Sequence, residues 1–360
     1  MKIFFYPHEY LRDRQIDTIR NWPPGEVVNP ELAAKRVGAQ VSANKANAAR
    51  VAASWKQRLP LLNIKMRPSN APKDAVVYLW GALVLSGNFI VDLDNPWSLV
   101  GYNLSAMPIF RSFIRRILLS DRCYDIRCMS NACRESLKLL FGSDVYNKAS
   151  IHYPCLEQSV ASVDSVCGDI THFLFVGTQF EIKGGEALLR AFSRVYSRNP
   201  NCRLDIVTHM PEHYVYLANS CPGVVVHEAH YIRREIHEEF MRNADVLVLP
   251  TYVESFGMVA LEALAHGLAL IVTDVYALAE MVEHHVNGIL LQPPISIWDG
   301  YLPSEIYKNI ADVKKYIREI DKSGFEINLE NAMESFVLDP TWLLQARKAS
   351  THLMKERFAC

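Results

Sequence analysis

Short runs of apolar residues recur through the second half of the chain, separated by stretches with helical spacing. Such near-continuous apolarity is typical of parallel strands that are covered on both faces. Repeated strand–helix units of this kind predict a doubly wound α/β domain. The predicted strands are Phe173–Val176, Leu204–Val207, Val224–Val226, Val246–Leu249, Ala269–Val272 and Ile289–Leu291. The predicted helices between them are Gly185–Tyr196, Arg233–Asn243 and Met258–His266.

The first half of the chain repeats this pattern less regularly. An alanine-rich, amphipathic stretch from Glu31 to Gln57 predicts a helix. The polar stretch Ser159–Gly168 is the predicted link between the two halves. The predicted strands of this half are Lys2–Tyr6, Val76–Trp80, Phe89–Leu93 and Ser150–Tyr153.

Together these elements predict two Rossmann-like, doubly wound domains that face a central cleft. Residues 1–158 form the first predicted domain and residues 159–345 the second. The last residues, 346–360, are predicted to form a helical tail, for which a return toward the first domain is one alternative. Ligands of such sheets bind beyond the carboxyl ends of the strands, where the strand order reverses. We therefore expect the functional residues at those ends.

The composition is that of a chain that can bury two cores, because 50% of its 360 residues are hydrophobic and 21% are charged. No window approaches the roughly 18 apolar residues of a membrane span, and the N-terminus lacks the apolar stretch of a signal peptide. We therefore expect a cytoplasmic protein whose cysteines are reduced thiols. Cys123, Cys128 and Cys133 do not have a zinc-ligand spacing, so no metal site is predicted.

Charge is distributed unequally between the two halves. Residues 1–155 carry 21 Lys and Arg against 12 Asp and Glu, whereas the remainder carries 17 against 27. The asymmetry indicates different partners for the two domains, one of them anionic; nucleic acid is not among the predicted partners. The stretch Ile109–Leu119 is basic and amphipathic. It is interpreted either as a peripheral contact with an anionic membrane or as a surface helix that packs on its own sheet.

The candidate chemistry is concentrated in the segment Pro250–Glu262. A predicted strand ends at Pro250, a loop presents Glu254, and a predicted helix begins near Gly257. The backbone N–H groups of Gly257, Met258 and Val259 would point outward at the positive end of that helix, which is a phosphate site. Two carboxylates, Glu254 and Glu262, lie eight residues apart. Taken alone, both are equally well explained as solvated residues near a helix start.

This segment resembles the Glu-x7-Glu motif of the retaining GT-B glycosyltransferases of family 4, the glycosyl transferases group 1. The following residues, Ala263–Ile271, fit the same pattern. The resemblance implies that Glu254 contacts hydroxyls of a donor sugar, with Ser255 and Phe256 in the same donor-binding loop, and that Glu262 accepts hydrogen bonds from a ribose. A carboxylate can accept two hydroxyls at once and stabilise a developing positive charge.

A second segment, Phe173–Gly185, resembles the strand–Gly–loop–Lys–Gly element of the same family. The resemblance implies that Lys183 contacts the donor pyrophosphate, in a site that Gly177 and Thr178 also line. A lysine in that place can neutralise a leaving diphosphate without a metal ion. The alternative is an ordinary exposed lysine. One departure is Thr178, where the family usually has an arginine.

Other departures concern the acceptor side and the walls of the donor site. Tyr276-Ala277 replaces a usual Gly-Gly, Thr208-His209 replaces a glycine-containing turn, and the glycine-rich loop near the family's N-terminus is absent. Many relatives place a histidine after the strand that ends here at Leu93. Asp92, Asp94 or Asn95 could substitute for it, and Asp94 is the candidate catalytic residue; the equal alternative is that they cap the following segment.

The resemblance covers residues 173–291 and, more weakly, 126–155. It implies a metal-independent, cofactor-free, retaining transferase of the GT-B architecture. Its substrates would be a UDP- or GDP-sugar donor of hexose type and a saccharide or lipid-linked saccharide acceptor. Two alternatives remain open. One is a non-catalytic GT-B-like subunit that binds a partner glycosyltransferase, suggested by Thr178; the other is a GT-B sugar-nucleotide epimerase or hydrolase.

Overall fold

The computed structural model describes residues 1–7, 11–23, 25–34, 59–160, 162–164, 170–307 and 310–358. The chain divides into two compact units, Met1–Cys155 and Leu156–Cys360. The predicted boundary after residue 158 lies just beyond this division. Most of the predicted helix over 31–57 and much of the predicted link over 159–168 lie outside the described residues.

A parallel sheet of five strands, in the order β1-β3-β5-β6-β7, forms the centre of the first unit. Every residue of β3 and β5 is buried, as the near-continuous apolarity of both segments predicts; the exception in composition is Asp92 of β5. The four predicted strands are confirmed: β3 and β5 have the predicted bounds, β1 is one residue shorter at each end, and β7 begins one residue and ends two residues earlier. β6 was not among the predicted strands. The bounds are β1 (Ile3–Phe5), β3 (Val76–Trp80), β5 (Phe89–Leu93), β6 (Cys123–Cys128) and β7 (Ala149–Ile151), with a separate parallel pair of β2 (Ile64–Lys65) and β4 (Leu83–Val84).

Two elements of the first unit begin at polar caps that the sequence provides. The side chain of Ser130 accepts a 3.0 Å hydrogen bond from the Cys133 amide at the start of α3, and Asn95 accepts one from the Trp97 amide, also 3.0 Å. The helices are α1 (Asp13–Arg20), α2 (Ala106–Leu118), α3 (Asn131–Phe141) and α4 (Ser143–Lys148), with 3-10 turns at Pro30–Ala34 and Pro96–Val100.

The second unit contains a parallel sheet of six strands in the order β10-β9-β8-β11-β12-β13. The predicted strands of this half are all confirmed, with ends that differ by a residue or two. The chain builds outward from β8 to β10, then returns to the other side of β8 with β11, so the strand order reverses between β8 and β11. Their bounds are β8 (Thr171–Val176), β9 (Cys202–Thr208), β10 (Val224–Glu228), β11 (Val246–Leu249), β12 (Ala269–Thr273) and β13 (Gly288–Leu291).

Helices and a short hairpin surround this second sheet. The predicted helix over 233–243 is only partly α-helical, because it passes into a π turn and then a 3-10 turn. The helices are α5 (Gly185–Arg198), α6 (Glu212–Asn219), α7 (Arg233–Glu235), α8 (Met258–Ala265), α9 (Ile310–Glu319), α10 (Ser323–Leu338) and α11 (Pro340–Leu353); the hairpin is β14 (Trp298–Asp299) with β15 (Leu302–Pro303). The predicted tail begins within α11, which packs against α8 and β12, and a π turn over Met354–Phe358 follows this helix.

A ladder of ion pairs joins α5 to α10. On each helix the charged residues recur every four positions, so they lie along one face. The ladder includes Arg194 with Glu326 at 3.3 Å and Arg198 with Glu330 at 2.6 Å and Glu334 at 2.9 Å. Because the partners advance in the same direction, the two helices run parallel. The members are Arg190, Arg194, Arg198, Glu326, Glu330 and Glu334.

A buried ion pair attaches α11 to the start of β11. Arg347 donates to Asp245 at 2.6 Å and to the carbonyl oxygen of Gly267 at 2.9 Å. The other carboxylate oxygen of Asp245 accepts the amide of His172 at 3.0 Å. Both charged side chains are almost wholly buried. The pair therefore couples the last helix to β8 and β11, the strands at which the sheet order reverses.

The expectation of reduced thiols holds for the free, buried cysteines in the described part of the chain, which are Cys123, Cys128, Cys133, Cys202 and Cys221. It is wrong for Cys155, which is disulfide-bonded. Among the described residues, no helix combines the length and apolarity that crossing a bilayer requires.

Candidate functional site

Two loops follow the strands at which the sheet order reverses, and one of them carries Lys183. This loop leaves β8 at Gly177, whose carbonyl oxygen accepts the hydroxyl of Thr208 at 2.6 Å. It enters α5 through Gly184, whose φ is +78° and whose Cβ, if present, would collide with the backbone of Pro250. Only glycine allows this close approach. The loop that carries Lys183 therefore lies directly against the segment that follows β11.

Lys183 and Glu254 form an ion pair. The Nζ of Lys183 lies 2.6 Å from Oε2 of Glu254 and donates to the carbonyl oxygen of Val253 at 3.1 Å. The other carboxylate oxygen accepts the amide of Ser255 at 3.1 Å. Less than a fifth of either charged side chain is exposed. The structure thus brings together two predicted site residues that are far apart in the sequence, and Lys183 is not an ordinary exposed lysine.

Helix α8 begins immediately after this pair, as predicted, with Gly257 at its N-terminal cap. Gly257 has a φ of +93°, and a Cβ there would collide with Leu278. The amide of Ala260 donates to the carbonyl oxygen of Gly257 at 2.9 Å. The preceding amides, of Met258 and Val259, have no acceptor within the helix, because the first turn of any helix lacks them. The positive end of α8 therefore begins beside Glu254, and Phe256, which directly precedes Gly257, is buried.

Glu262, one turn further along α8, is paired with residues that the sequence analysis did not single out. The Nε of Arg233 lies 2.8 Å from one carboxylate oxygen, and the Nε2 of His237 lies 3.7 Å from the other. These partners come from α7 and its continuation, where no local pattern marks them. Only the packing of α7 against α8 reveals them.

His266 extends this cluster on the same face of α8. Its ring meets that of His237 edge-on, with centroids 4.8 Å apart, and only 5% of the residue is exposed. Neither ring nitrogen has a hydrogen-bond partner among the described residues. Burial lowers the pKa of His266 to about 4, and the neighbouring His237 and Arg242 act in the same direction. His266 is therefore neutral near pH 7.

Thr178 is exposed, in the place where the resemblance predicts an arginine. Arg318 of α9 stabilises the same loop, because its guanidinium donates two hydrogen bonds of 2.9 Å to the carboxylate of Glu181. A bidentate pair of this kind fixes orientation as well as distance. Arg318 is a second contributor that the sequence analysis missed, because it lies far beyond the motif.

The predicted acceptor-side residues lie at the carboxyl end of β5 in the first unit. Asp92 accepts two hydrogen bonds from Arg14, at 2.9 and 3.1 Å, and one from the hydroxyl of Tyr78 at 2.6 Å. Asp94 accepts the hydroxyl of Tyr102 at 2.8 Å, and burial raises the pKa of its carboxyl. For Asn95 the capping alternative is the one observed, since it begins the 3-10 turn that follows.

No group of His, Cys, Asp or Glu side chains in the described ranges is arranged to hold a metal ion. The positively charged groups at the carboxyl ends of β8 and β11 are Lys183, which is paired with Glu254, and the positive end of α8. Both are suited to an anionic ligand.

The sequence profile of the family described as glycosyl transferases group 1 matches residues 171–298. This segment belongs to the glycosyl transferases group 1 family. It contains Lys183, Glu254 and Glu262, together with all six strands of the second sheet. The site geometry and the family match therefore fall on the same part of the chain.

Curated relatives of the glycosyl transferases group 1 segment are similar over part of their length. An uncharacterized glycosyltransferase of Methanocaldococcus jannaschii is 34% identical over 124 residues, which cover 33% of this chain and 31% of that protein. A D-inositol 3-phosphate glycosyltransferase of Paenarthrobacter aurescens is 30% identical over 180 residues, covering 48% of this chain and 42% of that protein. The chain thus matches less than half the length of these relatives.

Solved structures show that the whole chain has the GT-B fold. Anabaena HepE, in complex with UDP and glucose, matches with a TM-score of 0.60 at 12% identity, over 100% of this chain and 96% of that one. The pneumococcal O-GlcNAc transferase GtfA, in complex with UDP and GlcNAc, matches with a TM-score of 0.54 at 13% identity, over 85% of this chain and 56% of that one. The predicted fold class is therefore confirmed.

Proposed function

We propose that this protein is a retaining glycosyltransferase that moves a hexose-type sugar from a nucleotide-sugar to a hydroxyl of a saccharide or lipid-linked saccharide. The observation that carries the proposal is the pairing of Lys183 with Glu254 beside the positive end of α8, within the segment that matches glycosyl transferases group 1. A cation and unpaired amides at one spot suit a diphosphate. A carboxylate next to them suits sugar hydroxyls.

In this proposal each group of the site has one task. Lys183 and the amides of Gly257, Met258 and Val259 hold the diphosphate and stabilise the charge that grows on it as the sugar leaves. Glu254 orients the sugar and stabilises its developing positive charge. Glu262 accepts hydrogen bonds from the ribose. Departure of the diphosphate needs no metal ion in this scheme, since Lys183 and the helix supply the positive charge.

The donor is proposed to be a UDP- or GDP-sugar. UDP is favoured because Anabaena HepE and the pneumococcal transferase, both of the same fold, were solved with UDP. On the acceptor side we propose that Asp94 orients the attacking hydroxyl. Its raised pKa, caused by burial, makes its carboxylate a better proton acceptor than an exposed aspartate. The sugar is proposed to retain its anomeric configuration.

Donor binding can be tested with a panel of UDP-, GDP-, ADP- and dTDP-glucose, measured by thermal shift with and without EDTA. We expect a shift with one nucleotide class that EDTA does not change and that Lys183→Ala abolishes. Lys348→Ala, at an exposed lysine of α11, is the matched control and should bind like the wild type. The absence of a shift with every nucleotide would reject the donor site and favour the non-catalytic subunit.

Transfer itself needs a second experiment, with the donor that binds and a set of saccharide acceptors. Release of nucleotide only when acceptor is present, with an α-linked product from an α-linked donor by NMR, supports a retaining transferase. Release of nucleotide and free or altered sugar without acceptor would identify a hydrolase or epimerase instead. Loss of transfer on EDTA treatment would contradict metal independence.

We also propose that α2 contacts an anionic membrane surface. Its inner face, including Ile114 and Ile117, is buried, as expected of a surface helix that packs on its own unit. Its outer face leaves Ile109 64% and Phe113 44% exposed, one turn apart, beside the exposed Arg116. Apolar side chains flanked by arginine suit the boundary of a bilayer with anionic head groups.

Sedimentation with vesicles tests this contact. The wild type should bind phosphatidylglycerol-containing vesicles more than pure phosphatidylcholine vesicles, and the double variant Ile109→Ser/Phe113→Ser should lose most of that binding. Ile327→Ser is the control, because Ile327 is also exposed, at 53%, but lies on α10 of the second unit. Equal binding by the double variant and the control would reject the contact.

A further inference from the structure

Tyr276 adopts a backbone conformation that tyrosine normally avoids. Its φ is +52°, in the left-handed region, where a bulky residue is an outlier. The other non-glycine residues with positive φ in the described part of the chain, Tyr102 and His285, are exposed, whereas only 7% of Tyr276 is. Glycine would adopt the same conformation without strain. The chain therefore keeps a large side chain at a position where it costs stability.

The ring of Tyr276 is fixed by an aromatic neighbour. It stacks on Trp298 of the β14–β15 hairpin, with ring centroids 4.3 Å apart and planes at 23°. Trp298 in turn meets Tyr307 edge-on at 6.1 Å. A strained backbone conformation persists only where contacts with the surrounding residues fix it, and such positions concentrate at functional sites. The hairpin thus holds the ring in one place.

The segment that carries Tyr276 lies against the Glu254 loop at two points. Before it, the hydroxyl of Thr273 donates to the carbonyl oxygen of Thr251 at 2.5 Å. After it, the side chain of Leu278 packs on Gly257 so closely that a Cβ there would collide with it. That same Cβ position lies 3.6 Å from the Cγ of Glu254. The segment that carries Tyr276 therefore lies next to the loop of the carboxylate that is proposed to orient the sugar.

We infer that Tyr276 is a specificity-determining residue that restricts the donor sugar to an unsubstituted hexose and excludes one with an N-acetyl group. This inference rests on the proposed function, because it needs a nucleotide-sugar beside Glu254. The ring occupies volume that a glycine would leave open, and stacking on Trp298 prevents it from moving aside. A fixed wall discriminates between ligands by size, whereas a mobile side chain would yield to the larger one.

The test compares affinities for UDP, UDP-glucose and UDP-N-acetylglucosamine by calorimetry, for the wild type, Tyr276→Gly and Tyr276→Phe. We expect the wild type to prefer UDP-glucose over UDP-N-acetylglucosamine. Tyr276→Gly should reduce this preference by roughly tenfold, the usual scale for a size-selective pocket. Its affinity for UDP alone should not change. Tyr276→Phe, which keeps the ring, should keep the preference.

A second variant covers the case in which Tyr276→Gly does not fold. Tyr276→Asn introduces a small residue that tolerates the left-handed conformation, and it should show the same loss of preference. An unchanged preference in both small-residue variants, with normal UDP affinity, would overturn the inference and leave the proposed function intact. Failure of the wild type to bind UDP or either sugar would overturn both.

Discussion

The Nε of Arg233 lies 2.8 Å from a carboxylate oxygen of Glu262, so the acid proposed to hold the ribose is already oriented by a cation before any donor arrives. Only 18% of the Arg233 side chain and 13% of the Glu262 side chain are exposed. An ion pair in such surroundings is stronger than one in water. We therefore expect Arg233 to act as a positioning residue for the proposed donor site.

Arg233→Ala should weaken UDP binding by about tenfold, or about 1.4 kcal/mol, because Glu262 loses the cation that orients it. The effect should fall on the affinity for UDP and on the KM for the donor, and leave kcat nearly unchanged. Isothermal titration and steady-state kinetics measure both. Arg234→Ala is the control, because Arg234 is the next residue and its side chain is 75% exposed. Equal affinity of the two variants would refute the positioning role.

The two functions proposed for the carboxylate of Glu254 can be separated by Glu254→Gln. The amide keeps the shape and can still accept hydroxyls, so donor affinity should stay within a few-fold of the wild type. The charge that stabilises the departing sugar is lost, and kcat should fall by about 10²–10³-fold, the scale known for one preorganised electrostatic group. Single-turnover kinetics gives the comparison, with Glu305→Gln on the exposed surface as control. A kcat near that of the wild type would remove Glu254 from the chemical step.

The buried pair of Arg347 with Asp245 predicts a large effect on stability rather than on activity. Asp245→Ala removes the carboxylate that balances the charge of the buried Arg347 guanidinium and accepts the His172 amide. The free energy of unfolding should fall by about 3–5 kcal/mol. The double variant Asp245→Leu/Arg347→Leu should recover part of this loss, because no unpaired charge remains. Urea unfolding measures both; a loss below about 1 kcal/mol in the single variant would be typical of an exposed pair and would contradict the burial.

His266 predicts a pH dependence of stability. Its pKa in the folded chain is about 4, below the ordinary 6.5, so between these values the unfolded chain binds a proton that the folded chain does not. Stability should therefore decrease as the pH falls from about 6.5 to about 4, by up to about 2–3 kcal/mol from this group.

His266→Leu should flatten the stability profile in that pH range and should not destabilise the protein at pH 7. The reason is that it removes two buried nitrogens that lack partners among the described residues. Unfolding curves at several pH values provide the comparison. His352→Leu, at an exposed histidine, should leave the profile as in the wild type. A slope in His266→Leu equal to that of the wild type would show that other groups cause the pH dependence.

The sequence predicted the second sheet well because its signal is local. Val246–Leu249 and Ala269–Thr273 are apolar at every position up to the last residue, since both faces of each strand are covered. The Lys183 loop and the Glu254 loop were predicted as separate motifs. Their contact depends on Gly184 fitting against Pro250, which is a relation between distant segments.

The features that the sequence did not predict also depend on contacts between distant segments of the chain. Arg233 and His237 meet Glu262 only because α7 and α8 pack together, and Arg318 reaches Glu181 from α9. The π turn within 236–240 was also missed, because its residues have ordinary helical spacing. For Asn95 the sequence left two alternatives open, an acceptor-side role or a cap. The structure shows the cap, because the Asn95 side chain accepts a hydrogen bond from the Trp97 amide.

The ladder of ion pairs between α5 and α10 makes both helices intolerant of changes in length. Its pairs recur every four residues on each helix. The paired residues of the two helices must therefore keep the same spacing along both helix axes. One residue inserted between Arg190 and Arg198 would rotate the rest of α5 by about 100° and carry Arg198 away from its glutamates. A substitution removes only the pairs of one residue, whereas an insertion or deletion removes every pair beyond it. Among descendants of this chain, these two helices are therefore expected to diverge in sequence while keeping their lengths.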